Sequence, residues 1–281
     1  MVRIIVDSTA DLRAEIKDRF EIVPLSVHFG DIQYLDGIDI DKSKFYEMLI
    51  ESDVVPTTSQ PSPDAFEQVY KKVVEAGDTS VVLSVSSTIS GTCQSALIAA
   101  EDYPAQIYVV DSRSAAIGTG ILAELALRYV EQGLSACEIA RKLNEDKDRI
   151  CLVALVDTLE YLKRGGRISK TVAFAGGVLN IKPVIGFEDG EIVVLGKARG
   201  SKQGNNLLIE QINKAGGIDF SKPILLGYTG ISDALLQKYI DDSAHIWQPD
   251  MAQRPSFSQI SSVIGTHAGP GAVAVAFFKN A

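Results

Sequence analysis

The sequence predicts an α/β protein of two domains. Residues 1–149 form a mostly parallel sheet with helices on both faces, and residues 150–281 form an α+β unit with an antiparallel sheet. Three observations carry this. β-Branched runs alternate with amphipathic stretches through the first half, as expected of strands joined by crossover helices. Past residue 150 the runs crowd together, and Glu188-Asp189-Gly190 between two of them is a hairpin turn. The 281 residues are 46% hydrophobic and 22% charged, which supplies enough apolar surface for a sizeable core.

The first strand, at 3–7, ends in Asp7-Ser-Thr-Ala-Asp-Leu12, which reads as the entry to a capped helix. A second strand is expected at 22–27. Helices follow at 43–52, where Phe45, Met48 and Leu49 recur at helical spacing, and at 64–77, ending at a glycine. Strands at 79–85 and 106–110 flank a helix that begins near Ser90, and 115–133 is a long apolar helix. Ligands of such layers sit at the carboxyl ends of the strands, where Asp7-Ser8, the 86–90 segment and Asp111-Ser112 converge. A charged helix over 135–148 closes the first domain. Strands at 150–156, 184–187, 191–195, 223–228, 245–248 and 271–278, with helices at 202–215 and 233–239, make the second.

Composition excludes several functions. A net charge of -9 argues against a nucleic-acid partner, which needs a clustered positive surface, and leaves at most transient contact with an anionic membrane. The start, Met-Val-Arg-Ile-Ile-Val-Asp-Ser, is too poor in apolar residues for a signal segment, so a cytoplasmic protein is expected. Cys93, Cys137 and Cys151 lack ligand spacing and read as small buried residues. With only His28, His245 and His267 besides, no metal site and no cofactor are expected.

Candidate binding residues lie in four segments. In Thr79-Ser-Val-Val-Leu-Ser-Val-Ser-Ser-Thr-Ile-Ser-Gly-Thr92 an apolar run breaks into hydroxyls at a helix start. Unpaired N–H groups and the helix dipole there suit an anion at Ser90, while a hydroxyl capping its own helix explains the same composition. No P-loop, G-x-G-x-x-G or G-x-S-x-G pattern is present, so a carboxylate or single phosphate fits better than a triphosphate. Val55-Pro-Thr-Thr-Ser-Gln-Pro-Ser-Pro63 is a proline-stiffened loop that either caps the next helix through Ser62 or Thr58 or presents hydroxyls to a ligand. Leu162-Lys-Arg-Gly-Gly-Arg-Ile168 concentrates cations that either complement a helix end closed by glycine or give Arg167 an anionic partner, and Gly196-Lys-Ala-Arg-Gly200 repeats the theme with Arg199. Ile264-Gly-Thr-His-Ala-Gly-Pro-Gly271 puts His267 in a small-residue loop, in a structural role or serving a site.

Six motifs occur in order: Asp7-Ser-Thr-Ala-Asp-Leu12, Pro56-Thr-Thr-Ser-Gln-Pro-Ser-Pro63, Ser86-Ser-x-x-Ser-Gly-Thr92, Leu162-x-x-Gly-Gly-Arg-Ile-Ser169, Asn180-Ile-Lys-Pro183 and Gly265-Thr-His-Ala-Gly-Pro-Gly271. Together they resemble the DegV family of bacterial fatty-acid-binding proteins, some of which are the binding subunit of fatty acid kinase. The resemblance implies one long-chain fatty acid enclosed between the two domains. Its carboxylate would be held by Thr58 and Ser90 with His267 close by, and Arg167 and Arg199 would lie nearer the mouth, where the kinase catalytic subunit docks. It also implies a carrier that is not itself an enzyme and has no ATP site of its own. The rivals are a serine-dependent hydrolase or acyltransferase using Ser90 with His267 as base, and a lipid sensor without a kinase.

Overall fold

The computed structural model describes residues 1–168, 181–247 and 255–280. In chain order, β1 (Val2–Asp7) and a 3-10 turn (Ala14–Arg19) precede β2 (Phe20–Val23), β3 (Ser26–Phe29) and β4 (Ile32–Leu35). Then come α1 (Lys42–Glu51), β5 (Thr57–Ser59), α2 (Pro63–Glu75), β6 (Thr79–Ser84), α3 (Thr92–Ala100), β7 (Ile107–Asp111), α4 (Ala116–Glu131) and α5 (Ala136–Asp146). The second half holds β8 (Ile150–Leu155), α6 (Glu160–Arg164), β9 (Ile181–Glu188), β10 (Glu191–Arg199), α7 (Gly200–Lys214) and β11 (Leu225–Tyr228). It ends with α8 (Ala234–Asp242), β12 (Phe257–Gln259), α9 (Ser262–Ala268) and β13 (Val273–Phe278).

The described residues form three sheets. Strands β2-β1-β6-β7 are all parallel. Strands β10-β9-β8-β13-β11-β12 are antiparallel except for the β11–β12 pair. A small antiparallel sheet, β4-β3-β5, lies beside them. The predicted fold class is therefore observed.

Several boundaries differ from the sequence reading. The single strand expected at 22–27 is two, because Pro24 lacks the N–H a ladder needs, and the pieces join different sheets. Thr57–Ser59, expected in a loop, pairs with β3 as a short edge strand, and Ser62 alone caps α2, accepting from Ala65 N with Pro63 at the first helical position. Asp7 and Asp11 cap no helix; both are buried, and only the 3-10 turn follows. His267 is not in a loop but in the last turn of α9, whose Val-Ile-Gly-Thr run has weak helix propensity. The expected strand at 245–248 is a 3-10 turn at Ala244–Ile246, with Gln248 outside the described residues. Asn180 and Ser169 of the quoted motifs also lie outside them. Cys93 is buried, but Cys137 is exposed on the polar face of α5, contrary to expectation.

Helix α4 is the centre of the molecule. Thirteen of its sixteen residues are buried, so it is apolar all round rather than on one stripe. It packs against β1 and β6 on one side and β8, β11 and β13 on the other. One core cluster accordingly runs from Ile4 and Val6 through Ile117 and Ile121 to Leu152, Leu225 and Phe278.

On the face of the six-stranded sheet that α4 covers, register aligns small residues in a row. Ile185 faces Ala154, Ala154 faces Ala274, and Ala274 faces Gly227. The next row is bulkier: Leu152 faces Ala276, and Ala276 faces Leu225. Side chains two apart share a face, so the small row is a trough bounded by larger neighbours. The β9–β10 hairpin turns at Asp189 (φ 50) and Gly190 (φ 86), the left-handed pair its tight turn requires.

Candidate functional site

The trough is the floor of a cavity of about 300 Å³ between the sheet and the amino end of α4. Ala115 and Ala116 cover it, Phe187 and Ile192 of the hairpin close one side, and Leu25 and Ile260 another. Most of the lining is apolar. The polar exceptions include Thr58, Ser59, Gln60, Ser90, Arg167 and His267. Most come from segments the sequence singled out, and the carboxyl ends of the parallel strands converge beside them as expected. There Asp7 accepts from Val85 N at 2.8 Å, and Ser87 Oγ donates to Asp111 at 2.5 Å.

Each polar side chain is held by its element. Thr58 is placed by β5, and its Oγ1 lies 2.8 Å from His267 Nε2 on α9. Ser90 precedes α3 rather than beginning it. Its Oγ accepts weakly from Thr92 N at 3.3 Å and lies 2.8 Å from Thr92 Oγ1, so the capping and cavity-lining readings coexist in one residue. Gln60 supports the α3 end, donating to Gly91 O at 3.2 Å and Ser95 Oγ at 3.0 Å. Arg167 Nε donates to Ile89 O at 3.1 Å and Nη1 to Gly165 O at 2.6 Å, which turns the guanidinium into the cavity wall. Arg199, by contrast, is exposed at the end of β10 and does not line the cavity.

The His267 ring is neutral at physiological pH. Burial, and then the nearby Arg167 cation, push its pKa down from 6.5 to about 4. The unfolded chain therefore binds the proton more tightly. This group's contribution to stability is present above pH 6.5 and is lost as pH falls toward 4. Nδ1 is buried with no hydrogen-bond partner among the described residues. An unpaired acceptor costs less than an unpaired donor, so the proton is assigned to Nε2, which donates to Thr58 Oγ1. That leaves the Thr58 hydroxyl hydrogen to point at a ligand. The site thus offers an anion one fixed cation, hydroxyl donors and a neutral imidazole, with an apolar trough leading away.

Gly165 makes the ring position possible. A Cβ there would stand 2.1 Å from His267 Nδ1. Gly165→Ala is expected to displace the imidazole and cost about 1–3 kcal/mol of stability, measured by denaturant unfolding. An unchanged midpoint would mean that the ring has room to move.

Residues 1–280 match a family model described as "Uncharacterised protein, DegV family". The chain belongs to the DegV family. A DegV domain-containing protein of Caldanaerobacter subterraneus subsp. tengcongensis is 35% identical over 280 residues, 98% of each chain. Among solved structures, a fatty-acid-binding DegV family protein from Thermus thermophilus superposes with a TM-score of 0.88 at 29% identity, covering 99% of both chains. A stearic acid-binding protein from Eubacterium ventriosum superposes with a TM-score of 0.85 at 28% identity, covering 99% of this chain and 98% of that one. DegV homologues thus bind fatty acids. Among the described residues no cluster of His, Cys, Asp and Glu is arranged to hold a metal ion, and no helix is long and apolar enough to cross a membrane.

The sequence reading missed three groups of residues at or behind this DegV site. Gln60 stood inside a quoted motif without a role. The row Ala154, Ala274 and Gly227 is invisible until strand register is known. Asp11 stood inside a quoted motif only as part of a helix entry, and Asp36 and Lys42 carried no role at all.

Proposed function

We propose that this DegV protein binds one long-chain fatty acid, with the acyl tail along the alanine trough and the carboxylate at Thr58, Ser90, His267 and Arg167. The observation that carries this reading is a cavity with its polarity at one end: an apolar trough leading to the hydrogen-bonded Thr58–His267 pair beside Arg167. In this reading residues 1–149 contribute the carboxylate-binding hydroxyls, and residues 150–281 contribute the trough and complete the cavity. Burying each methylene contributes roughly 0.8 kcal/mol, so the tail provides the affinity and the polar end fixes orientation. The solved DegV relatives that hold fatty acids support the same ligand class.

The protein acts in this reading as a carrier that presents the carboxylate to the catalytic subunit of a fatty acid kinase, which makes the acyl phosphate. Arg199, exposed and away from the cavity, suits a partner contact better than a head-group contact. The serine-hydrolase alternative is disfavoured by geometry. His267 Nε2 bonds Thr58, Ser90 Oγ bonds Thr92, and no hydrogen bond joins Ser90 to His267 among the described residues. Organic extraction of the purified protein followed by mass spectrometry is expected to release about one fatty acid per chain, the stoichiometry of one enclosed ligand. A protein that carries none and cannot be loaded with any would end this reading.

A further inference from the structure

Four consecutive residues leading into α9 are each gripped by a side chain from the first 46 residues. Lys42 Nζ donates to Gln259 O, Tyr46 OH to Ile260 O at 3.2 Å, Ser261 N donates to Asp11 Oδ1 at 2.8 Å, and Ser262 N to Asp36 Oδ1 at 3.2 Å. Lys42 also pairs with Asp11 at 2.9 Å, which ties the two sides of the grip together. Asp11 and Asp36 are buried, at 1% and 5% exposed. Buried carboxylates are kept where they have fixed donors to satisfy, and here those donors are the backbone N–H groups at the start of α9.

Helix α9 needs such help. Seven residues are too few to be stable alone, and its sequence contains glycine and three β-branched residues. Gly265 rests directly on Phe45 and Tyr46, where a Cβ would approach the Phe45 ring to 2.7 Å and the Tyr46 hydroxyl oxygen to 2.6 Å. His267 lies five residues beyond Ser262, about 8 Å along the axis. Whatever fixes the beginning of α9 fixes the ring that bonds Thr58.

A second cleft, of about 570 Å³, lies behind this segment and is lined by Asp11, Asp36, Asp41, Lys17, Lys42, Gln259 and Ser261. Among the described residues it shares none with the apolar cavity, yet neighbours in sequence alternate between the two. Ser8 and Ala10 line the cleft and Thr9 the cavity; Pro24 lines the cleft and Leu25 the cavity; Gln259 and Ser261 line the cleft and Ile260 the cavity. One layer of backbone separates them, so the carboxylates behind the site are reached from solvent without passing the ligand.

We propose that Asp11 and Asp36, with Lys42 and Tyr46, form a clamp that sets α9 and thereby holds His267 against Thr58. This makes the two carboxylates positioning residues of the head-group site. The proposal rests on the fatty-acid reading for its functional consequence, but not for its geometry. The charged and titratable groups around the clamp are Asp7 from β1, Asp11, Asp36, Asp41, Lys17, Lys42 and Tyr46, and Tyr228 from β11. Burial first, opposed by Lys42, raises the Asp11 pKa from 3.8 to about 6, and burial also raises that of Asp36. Ionised Asp11 is thus present at neutral pH and is titrated away through the window around 6. Asp11 therefore takes up its proton at a higher pH than His267, near 6 against about 4.

The test uses the full-length protein in three forms beside wild type: Asp11→Asn, Asp36→Asn and, as control, Asp78→Asn, whose carboxylate pairs with Met1 and Arg3 away from the site. Dissociation of preloaded oleate is followed between pH 8 and 5, with His267 titrated by NMR in the unloaded protein and melting temperature recorded throughout. In Asp11→Asn release is expected to be about tenfold faster than in wild type at pH 8, with the His267 pKa moving up toward 6.5. Asp36→Asn should raise both release and the His267 pKa. Unchanged His267 titration in both variants would overturn the clamp. So would release that rises no further than in Asp78→Asn at equal loss of melting temperature. If wild type takes up no oleate, the fatty-acid reading fails, and the His267 titrations alone decide the clamp.

Discussion

In the Thr58→Val protein, affinity for a long-chain fatty acid is expected to fall on the order of a hundredfold or more, measured by displacement of a fluorescent fatty acid. Two losses combine. The hydroxyl that points at the carboxylate disappears, and a hydrogen bond to a charged group contributes about 1.5–3 kcal/mol. The His267 Nε2–H, bonded to Thr58 Oγ1 at 2.8 Å, becomes a buried donor without an acceptor. Valine matches threonine in shape and suits the strand β5, so neither loss is confounded by the backbone. Ser90→Ala should cost less, because the Ser90 hydroxyl already shares itself with Thr92 Oγ1 at 2.8 Å. Equal affinity of the Thr58→Val and wild-type proteins would remove Thr58 from the head-group site.

The second large effect concerns the tail. Ala274 sits mid-row, opposite Ala154 on one side and Gly227 on the other. Ala274→Leu fills the trough with three carbons and should displace about three methylenes of the ligand, at roughly 0.8 kcal/mol each. Binding of an acyl chain of about eighteen carbons is expected to weaken roughly fiftyfold by that arithmetic, while a chain about four carbons shorter keeps its wild-type affinity. The direction of selectivity is the test. If long and short chains weaken alike, the tail does not run over Ala274, and if neither weakens the trough is not the binding surface.

The fold was legible where periodicity is long. Parallel strands separated by amphipathic helices and the Asp189-Gly190 hairpin needed only local rules, and Ser62 with Pro63 marked the start of α2 as expected. Short elements were not. Thr57–Ser59 is a strand because β3 offers an edge, which nothing within 57–59 reveals, and α9 exists because distant groups grip its beginning. Four of the five candidate side chains, Thr58, Ser90, Arg167 and His267, line one cavity, since hydroxyl-rich turns and a lone histidine among small residues stand out against an apolar chain. The partners of those residues did not stand out. The Thr58–His267 bond joins positions 209 residues apart, and Asp11, Asp36 and Lys42 carry meaning only once the chain has folded back on them.

Helix α4 makes the cavity a property of the joint between the halves. The antiparallel sheet supplies the floor, β5 and the loop after β6 supply the hydroxyls, and α4 is the wall both sides share. A cut at residue 150 would leave one half with an uncovered helix and the other with an open sheet, and neither would contain a container. In the proposed function the choice of ligand is then set by side chains around a fixed seam, because both halves wall the cavity at once.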